Sequence, residues 1–440
     1  MTGRRRPSSR PFRTAVLATC TAVSASLLTG CGAVPFAAGD SESAPIVVMT
    51  WAPEGTGATN MPGMPAMAQA YARWVNDSGG IHGRELKVLT CNERNDTVYA
   101  ARCAREAADA KAVAVVGSYS QYGRSVMSPL EVAGIPYIGG YGVSAQEFNS
   151  PISYPVNGGQ ASLLAGNGRQ LASVCKRVSL VRPDTIAGDE LPKLFDAGLA
   201  DGERGPATDV RAPEDASDYT RQVQRALDGV GADPHRYGTA QYGTELDRSA
   251  CVTAALGKRT NTFFDSFRRV QEDKPRVRIA SVLGSVRQSL VDSTGGSESA
   301  LEGAYATGWY PAADDARWGP MYRVINRYAF DDNRIDAADP GTQTTWIAYT
   351  ALRSVLKSLD KDDISARSVR KALNRGHEVD TGGLTPPLRW RFTDLLAVPG
   401  YPRIVNANVT YQVVRDGRLV AVRDGFVDVT KTLEDHTGEG

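Results

Sequence analysis

Histidine and cysteine are the side chains whose spacing bears most directly on the chemistry open to this sequence. The 4 histidines, His82, His235, His377 and His436, lie far apart, and no HExxH or CxxC occurs. Zinc-protease and zinc-ribbon spacings are therefore missing. A GxSxG nucleophile elbow, a Walker A loop and a GxGxxG turn after a strand are also missing. Activated-serine hydrolysis, phosphoryl transfer and dinucleotide chemistry have no motif here. The expectation is a chain that is not an enzyme, with no catalytic residue, metal or cofactor. The 50 Lys+Arg against 49 Asp+Glu leave a formal charge of +1, which argues against nucleic-acid binding. With 42% hydrophobic and 22% charged residues, the chain can bury a sizeable core. Its 440 residues suggest two or three domains, or one bilobed unit.

The thiols carry more information. Arg4, Arg5, Arg6, Arg10 and Arg13 precede Ala15 to Leu28, a mostly apolar, small, uncharged run. It is shorter than the ~20 residues of a membrane span and fits the apolar region of a secretory signal. Leu28-Thr29-Gly30-Cys31 resembles the lipobox of bacterial lipoproteins. The resemblance implies that the Cys31 thiol takes a diacylglycerol and that Cys31 becomes the first mature residue. The small, polar stretch Gly32 to Ala44 reads as a tether. No second long apolar run follows, so the expected state is anchored to the membrane, not spanning it. With Cys20 in the signal, Cys91, Cys103, Cys175 and Cys251 remain. An even set in an exported chain favours disulfides, with three pairings open.

The elements that must position any site alternate. Strands are expected at Ile46–Thr50, Glu85–Leu89, Ala112–Gly117 and Ile135–Ile138. Helices are expected between them, at Gly63–Val75, Thr97–Ala108 and Ser125–Ala133. This βαβ alternation is the signature of a parallel sheet covered on both faces. It restarts with helix Ala161–Val174 and continues through strands at Arg177–Val181, Ala207–Arg211, Cys251–Leu256, Arg276–Val282 and Leu301–Gly308. Helices at Leu191–Leu199, Thr220–Leu227 (capped by Asp218) and Thr262–Arg269 intervene. Longer helices follow at Asp315–Tyr328, Thr344–Leu359 and Ile364–Asn374. Asp416-Gly417 then turns a hairpin between Asn408–Val414 and Arg418–Val422.

Asn76-Asp77-Ser78-Gly79-Gly80-Ile81-His82-Gly83-Arg84 closely resembles a turn of type I periplasmic binding proteins, in the branched-chain-amino-acid-binding group. Val115-Val116-Gly117-Ser118, Ala133-Gly134-Ile135-Pro136, Ser217-Asp218-Tyr219-Thr220 and Asp424-Gly425-Phe426 match further pieces in order. The resemblance covers about Ala44 to Val429. It implies an α/β fold of two doubly wound parallel-sheet lobes joined by a three-segment hinge, with ligand held between them. Residues 45–153 plus 312–388 would form lobe one, and 154–311 plus 389–430 lobe two; 1–30 is signal, 31–44 tether and 431–440 tail. The crossings would lie near Ser153–Val156, Thr307–Pro311 and Pro387–Trp390. In this fold the first and third strands of a lobe adjoin, which implies Cys175–Cys251. Packing of a strand on its following helix implies Cys91–Cys103.

The resemblance also nominates ligand contacts. Ser118, Ser120, Val143 and Ser144 match loop positions whose hydroxyl and N–H groups hold a ligand carboxylate in amino-acid-binding relatives. Trp51, on the loop after the first strand, and Tyr119, on the second loop, are candidates for an aromatic wall, and Tyr141 on the third loop is a further candidate contact. Lobe two departs from the pattern. Its first loop, Asp184-Thr185-Ile186-Ala187-Gly188, has no Tyr, which leaves Thr185 as the candidate. Its later loop carries Arg287 in place of an acidic partner for an ammonium. Lys258 and Arg287 are candidates for a negative ligand group. A simple α-amino acid is therefore doubtful on lobe two's side. The expected function is a monomeric, lipid-anchored solute receptor serving an ABC permease, binding an amino-acid-like molecule, an amide or a small organic acid. A sensing lipoprotein without a transport role is the alternative.

Overall fold

The computed structural model describes residues 44–185, 188–213, 215–231, 247–271, 277–282, 286–299 and 301–436. Cys31 and the proposed signal and tether up to residue 43 lie outside them. Strands β1 Ile46–Ala52, β2 Leu86–Asn92, β3 Val115–Val116, β4 Tyr137–Ile138 and β5 Ser153–Tyr154 form a parallel sheet in the order β2-β1-β3-β4-β5. Both faces are covered, and β1 shows how. Ile46, Val48 and Ala52 enter one core cluster, while Met49 and Trp51 enter another. This is the period of two that a strand buried on both sides requires.

The second sheet holds β6 Arg177–Pro183, β7 Thr208–Ala212, β8 Asp247–Ala254, β9 Val277–Val282, β10 Tyr305–Gly308, β11 Asn408–Arg415 and β12 Arg418–Ala421. Its order is β12-β11-β10-β9-β8-β6-β7, and β13 Val427–Asp428 pairs with β11. Strands β6 to β10 are parallel, and β11 runs antiparallel to β10 and β12. On β8, Val252 and Ala254 face one core cluster and Cys251 the other.

The disulfides follow from this order. Cys251 lies opposite Val178 in the β6–β8 ladder and bonds Cys175 with a Cα separation of 6.0 Å. Cys91 bonds Cys103 on helix Thr97–Asp109, at 5.7 Å. Both separations suit a disulfide. The turn after helix Gly63–Asp77 is also explained. Asn76 donates to the Leu86 carbonyl at 3.1 Å and accepts from the Leu86 N–H at 2.8 Å, which ties the helix end to β2. Gly79, Gly80 and Gly83 have φ of +90°, +71° and +76°, values that favour glycine.

The late helix Pro340–Ser358 is buried along most of its length against the first sheet. Thr345 Oγ1 donates to the Gly117 carbonyl at 3.1 Å, and the Tyr349 hydroxyl meets Thr50 Oγ1 at 2.8 Å. A Cβ on Gly117, whose φ is +56°, would stand 2.9 Å from Thr345 Cα, so this contact requires glycine. Three stretches lie side by side between the sheets. Trp390 Nε1 donates to Pro155 O at 2.9 Å, Asn157 Nδ2 to the Tyr310 hydroxyl at 2.9 Å, and Asn406 Nδ2 to Val156 O at 3.0 Å.

Several boundaries differ from expectation for local reasons. The helix expected at Thr344 starts at Pro340, because Asp339 accepts from the Gly341 and Thr342 N–H groups. The helix expected at Asp315 splits into a 3-10 turn, Ala316–Trp318, and helix Gly319–Tyr328, with Pro320 in the first turn. Strand β10 starts at Tyr305 instead of Leu301, after Gly303 at φ +78°. Asp218 accepts from Thr220 N at 2.9 Å, but Tyr219 occupies the cap position of helix Thr220–Gly229.

Candidate ligand-binding site

The loops after the first sheet's strands place the nominated residues close together, with most of their hydrogen-bonding capacity already used. Trp51 is fully buried in the core, where its ring lies 5.9 Å from Tyr137. Ser118 is also fully buried, and its Oγ accepts from Trp51 N at 3.1 Å. Ser120 Oγ donates to Glu93 Oε2 at 3.0 Å and accepts from Tyr122 N at 3.1 Å, at the start of helix Gly123–Ala133. Val143 N and Ser144 N each donate to Glu147 Oε1 at 3.0 Å. Ser144 Oγ donates to the same oxygen at 3.1 Å, and Gly142 N donates to Oε2 at 3.0 Å.

Internal carboxylates thus receive three of the four positions that the resemblance assigned to a ligand carboxylate, Val143 and Ser144 on Glu147 and Ser120 on Glu93. Glu147 is 3% exposed and Glu93 is fully buried. Burial pushes both carboxyls above the ordinary value, although hydrogen bonds pull the other way. The Ser144-x-x-Glu147 spacing is that of a capping box, the signal in the sequence that could have found this arrangement. Asn95, which donates to Glu93 Oε1 at 3.1 Å, sits at φ +50° in the turn that holds Glu93.

The carboxyl ends of the two sheets meet through aromatic rings. Tyr141, after β4, packs edge-on to Trp309, after β10, with centroids 5.2 Å apart, and to Tyr119 at 5.3 Å. Trp309 Nε1 donates to Gly159 O at 2.9 Å, and the Tyr310 hydroxyl meets Thr344 Oγ1 at 2.9 Å. Burial raises the Tyr119 and Tyr141 hydroxyls well above the ordinary value and pushes Tyr310 up to about 12. These phenols stay neutral.

Arg287, after β9, reaches across to Asp339, and Nη1 to Oδ2 is 3.1 Å. Asp339 caps helix Pro340–Ser358, so the ion pair links the second sheet to a helix packed on the first. Burial raises the Asp339 carboxyl, and the Arg287 charge lowers it in part. Beside this pair lies a groove of about 420 Å³ lined by Arg287, Pro311, Tyr322, Gln343, Gln412 and Arg418, among others. Thr185 stands apart from it, accepting from Gly188 N at 3.0 Å in the turn after β6. Lys258 belongs to the turn Gly257–Arg259, and its side chain lies outside the described residues. Asp339, Glu147, Glu93, Trp309, Gln343 and Gln412 were not among the nominated residues. Arg287 and its partner are 52 positions apart in sequence, a separation that hides the pairing from local pattern.

A family model described as periplasmic binding protein matches residues 47–396. The chain belongs to that family. Solved structures agree in fold. A branched-chain amino acid ABC transporter protein from Thermus thermophilus with bound valine is 13% identical, with a TM-score of 0.68 over 90% of this chain and 100% of that one. A solute binding protein of an ABC transporter from Rhodopseudomonas palustris BisB5, in complex with 3,4-dihydroxy benzoic acid, is 16% identical, with a TM-score of 0.63 over 88% and 97%. A fatty acid ABC transporter substrate-binding protein from Thermomonospora curvata is 13% identical, with a TM-score of 0.66 over 88% and 94%. None of the curated proteins matches this chain in sequence.

As a periplasmic binding protein, the chain binds a solute and does not transform one, and its place is extracytoplasmic. Among the described residues, no helix is long and apolar enough to cross a membrane. In this periplasmic binding protein, two parallel-sheet lobes present their carboxyl strand ends to each other, the position at which open α/β sheets take ligands.

Proposed function

We propose that this periplasmic binding protein is a lipid-anchored receptor that takes a small polar solute between its lobes and delivers it to an ABC permease by hinge closure. Residues 45–153 plus 312–388 act as one lobe and 154–311 plus 389–430 as the other. The stretches around Ser153–Val156, Thr307–Pro311 and Pro387–Trp390 act as the hinge. The observation that carries this reading is the pair of contacts between the sheets' carboxyl ends, Tyr141 with Trp309 and Arg287 with Asp339. Side-chain contacts of this kind can be made and broken as two rigid bodies rotate, while hydrogen-bonded crossing segments absorb the rotation. The three solved structures named above are ABC transporter proteins, and valine and 3,4-dihydroxy benzoic acid are bound in two of them. Cys31, at the end of the lipobox-like run, supplies the anchor.

A thermal-unfolding screen of the full chain against amino acids, amides, polyols and aromatic acids tests the binding. A true solute at a hundred times its Kd adds about 2.7 kcal/mol of stability. Failure of every class to raise the midpoint would remove the receptor reading.

A further inference from the structure

We propose that the solute sits in the groove beside Arg287, not on the lobe-one donor loops, and that it is a neutral polar molecule of the amide or polyol class. This rests on the receptor reading above and narrows it.

The first line of argument is what the donor loops already hold. Gly142 N, Val143 N, Ser144 N and Ser144 Oγ all donate to Glu147, at 3.0–3.1 Å. Ser120 Oγ donates to Glu93. A solute carboxylate would have to displace a buried carboxylate from four donors and then sit beside it. Two like charges in a desolvated site are strongly disfavoured. The loops that would read a carboxylate are therefore closed to it by the chain's own acids.

The second line is what the groove leaves open. Gln343 is 3% and Gln412 2% exposed, and both line it. Gln343 Nε2 donates to Ala337 O, and Gln412 Nε2 donates to Tyr310 O and Thr410 Oγ1. Neither amide oxygen has a partner among the described residues. Gln343 reaches the groove from helix Pro340–Ser358 and Gln412 from β11, so each open oxygen can accept an N–H or O–H from a bound molecule. The charges in the wall select against an anion. Arg287 is already paired with Asp339. Arg418 shares the lining with Asp292, Asp314 and Asp416, so acids outnumber bases three to two there. A neutral solute that donates to the glutamines and accepts from a guanidinium meets all of this. The volume of about 420 Å³ is that of a small-molecule site.

The test is calorimetry on the full chain with matched probes: benzoate against benzamide, nicotinate against nicotinamide, and the polyols myo-inositol and glycerol. At least one amide or polyol should bind with a Kd below about 1 mM, and its acid counterpart at least about tenfold more weakly. Gln343→Leu and Gln412→Leu should each weaken the binding about tenfold or more, the loss expected for one hydrogen bond. Gln412→Met replaces Gln412→Leu if the latter does not fold. Ser120→Ala and Ser144→Ala should leave the Kd within about twofold, below the loss of one hydrogen bond. The inference is overturned if the acids bind more tightly, if Ser144→Ala weakens binding while the glutamine variants do not, or if no amide or polyol binds. An acid that binds and closes the lobes would leave the receptor reading intact and remove only this inference.

Discussion

Replacing Glu147 with alanine is expected to destabilise the fold by about 3 kcal/mol. Glu147 accepts from three backbone N–H groups and one hydroxyl, and all four donors stand at or just above 3.0 Å on a side chain that is 3% exposed. At about 1 kcal/mol net for each bond, the loss is about 4 kcal/mol. Removing a carboxyl whose burial already disfavours its charge returns part of that, which leaves about 3 kcal/mol. Glutamine should cost less, about 1–2 kcal/mol. Its single carbonyl can take the three bonds now made to Oε1, but its NH2 must face Gly142 N–H, donor against donor. Urea unfolding of the three proteins reads both values as midpoint shifts at constant slope. An alanine variant within about 1 kcal/mol of wild type, less than two such bonds, would refute this accounting of the loop.

The other expected outcomes concern disulfides, pH and the anchor. Cys175 and Cys251 are 76 residues apart, so replacing both with serine should cost about 4.5 kcal/mol by the chain-entropy relation. The 12-residue Cys91–Cys103 link should be worth about 3 kcal/mol, and a Cys91–Cys175 peptide in a non-reducing digest would contradict the fold. Burial raises the Glu147 carboxyl above 4.5, so the folded chain holds a proton that the unfolded chain releases between that value and the higher folded one. Stability from this group is therefore full below 4.5 and falls as pH rises through that window. Glu147→Gln should remove the slope, and an unchanged pH profile would show that burial is not the cause. Cys31→Ala should abolish partition into detergent, and wild type remaining aqueous after export would remove the anchor.

The lobes were legible because strands buried on both faces, such as Ile46–Ala52, read as apolar runs between amphipathic helices. The turn at Asn76 to Arg84 was legible for the same reason it is built that way: its glycines sit at positive φ, and its asparagine ties a helix end to a strand. Strand Val115–Val116 came out shorter than the run Ala112–Gly117, since apolar content does not say where ladder bonds stop. The site was harder to read. Ser120 and Ser144 stand on the expected loops, but whether a hydroxyl is free depends on which carboxylate folds against it. For Ser120 that is Glu93, 27 residues away. Arg287 reads as a candidate for a negative ligand group because Asp339 reaches it only through the tertiary fold. Gln343 and Gln412 carry no local signal, since glutamine on a helix or strand is ordinarily solvated and only the tertiary fold places these two at one groove.

Small-angle scattering of the full chain, titrated with whichever probe most raises the unfolding midpoint, tests the central claim most directly. Closure of two lobes on a solute predicts a radius of gyration that falls in step with occupancy and saturates with it. A solute that binds to saturation while the scattering curve stays unchanged would contradict capture by hinge closure.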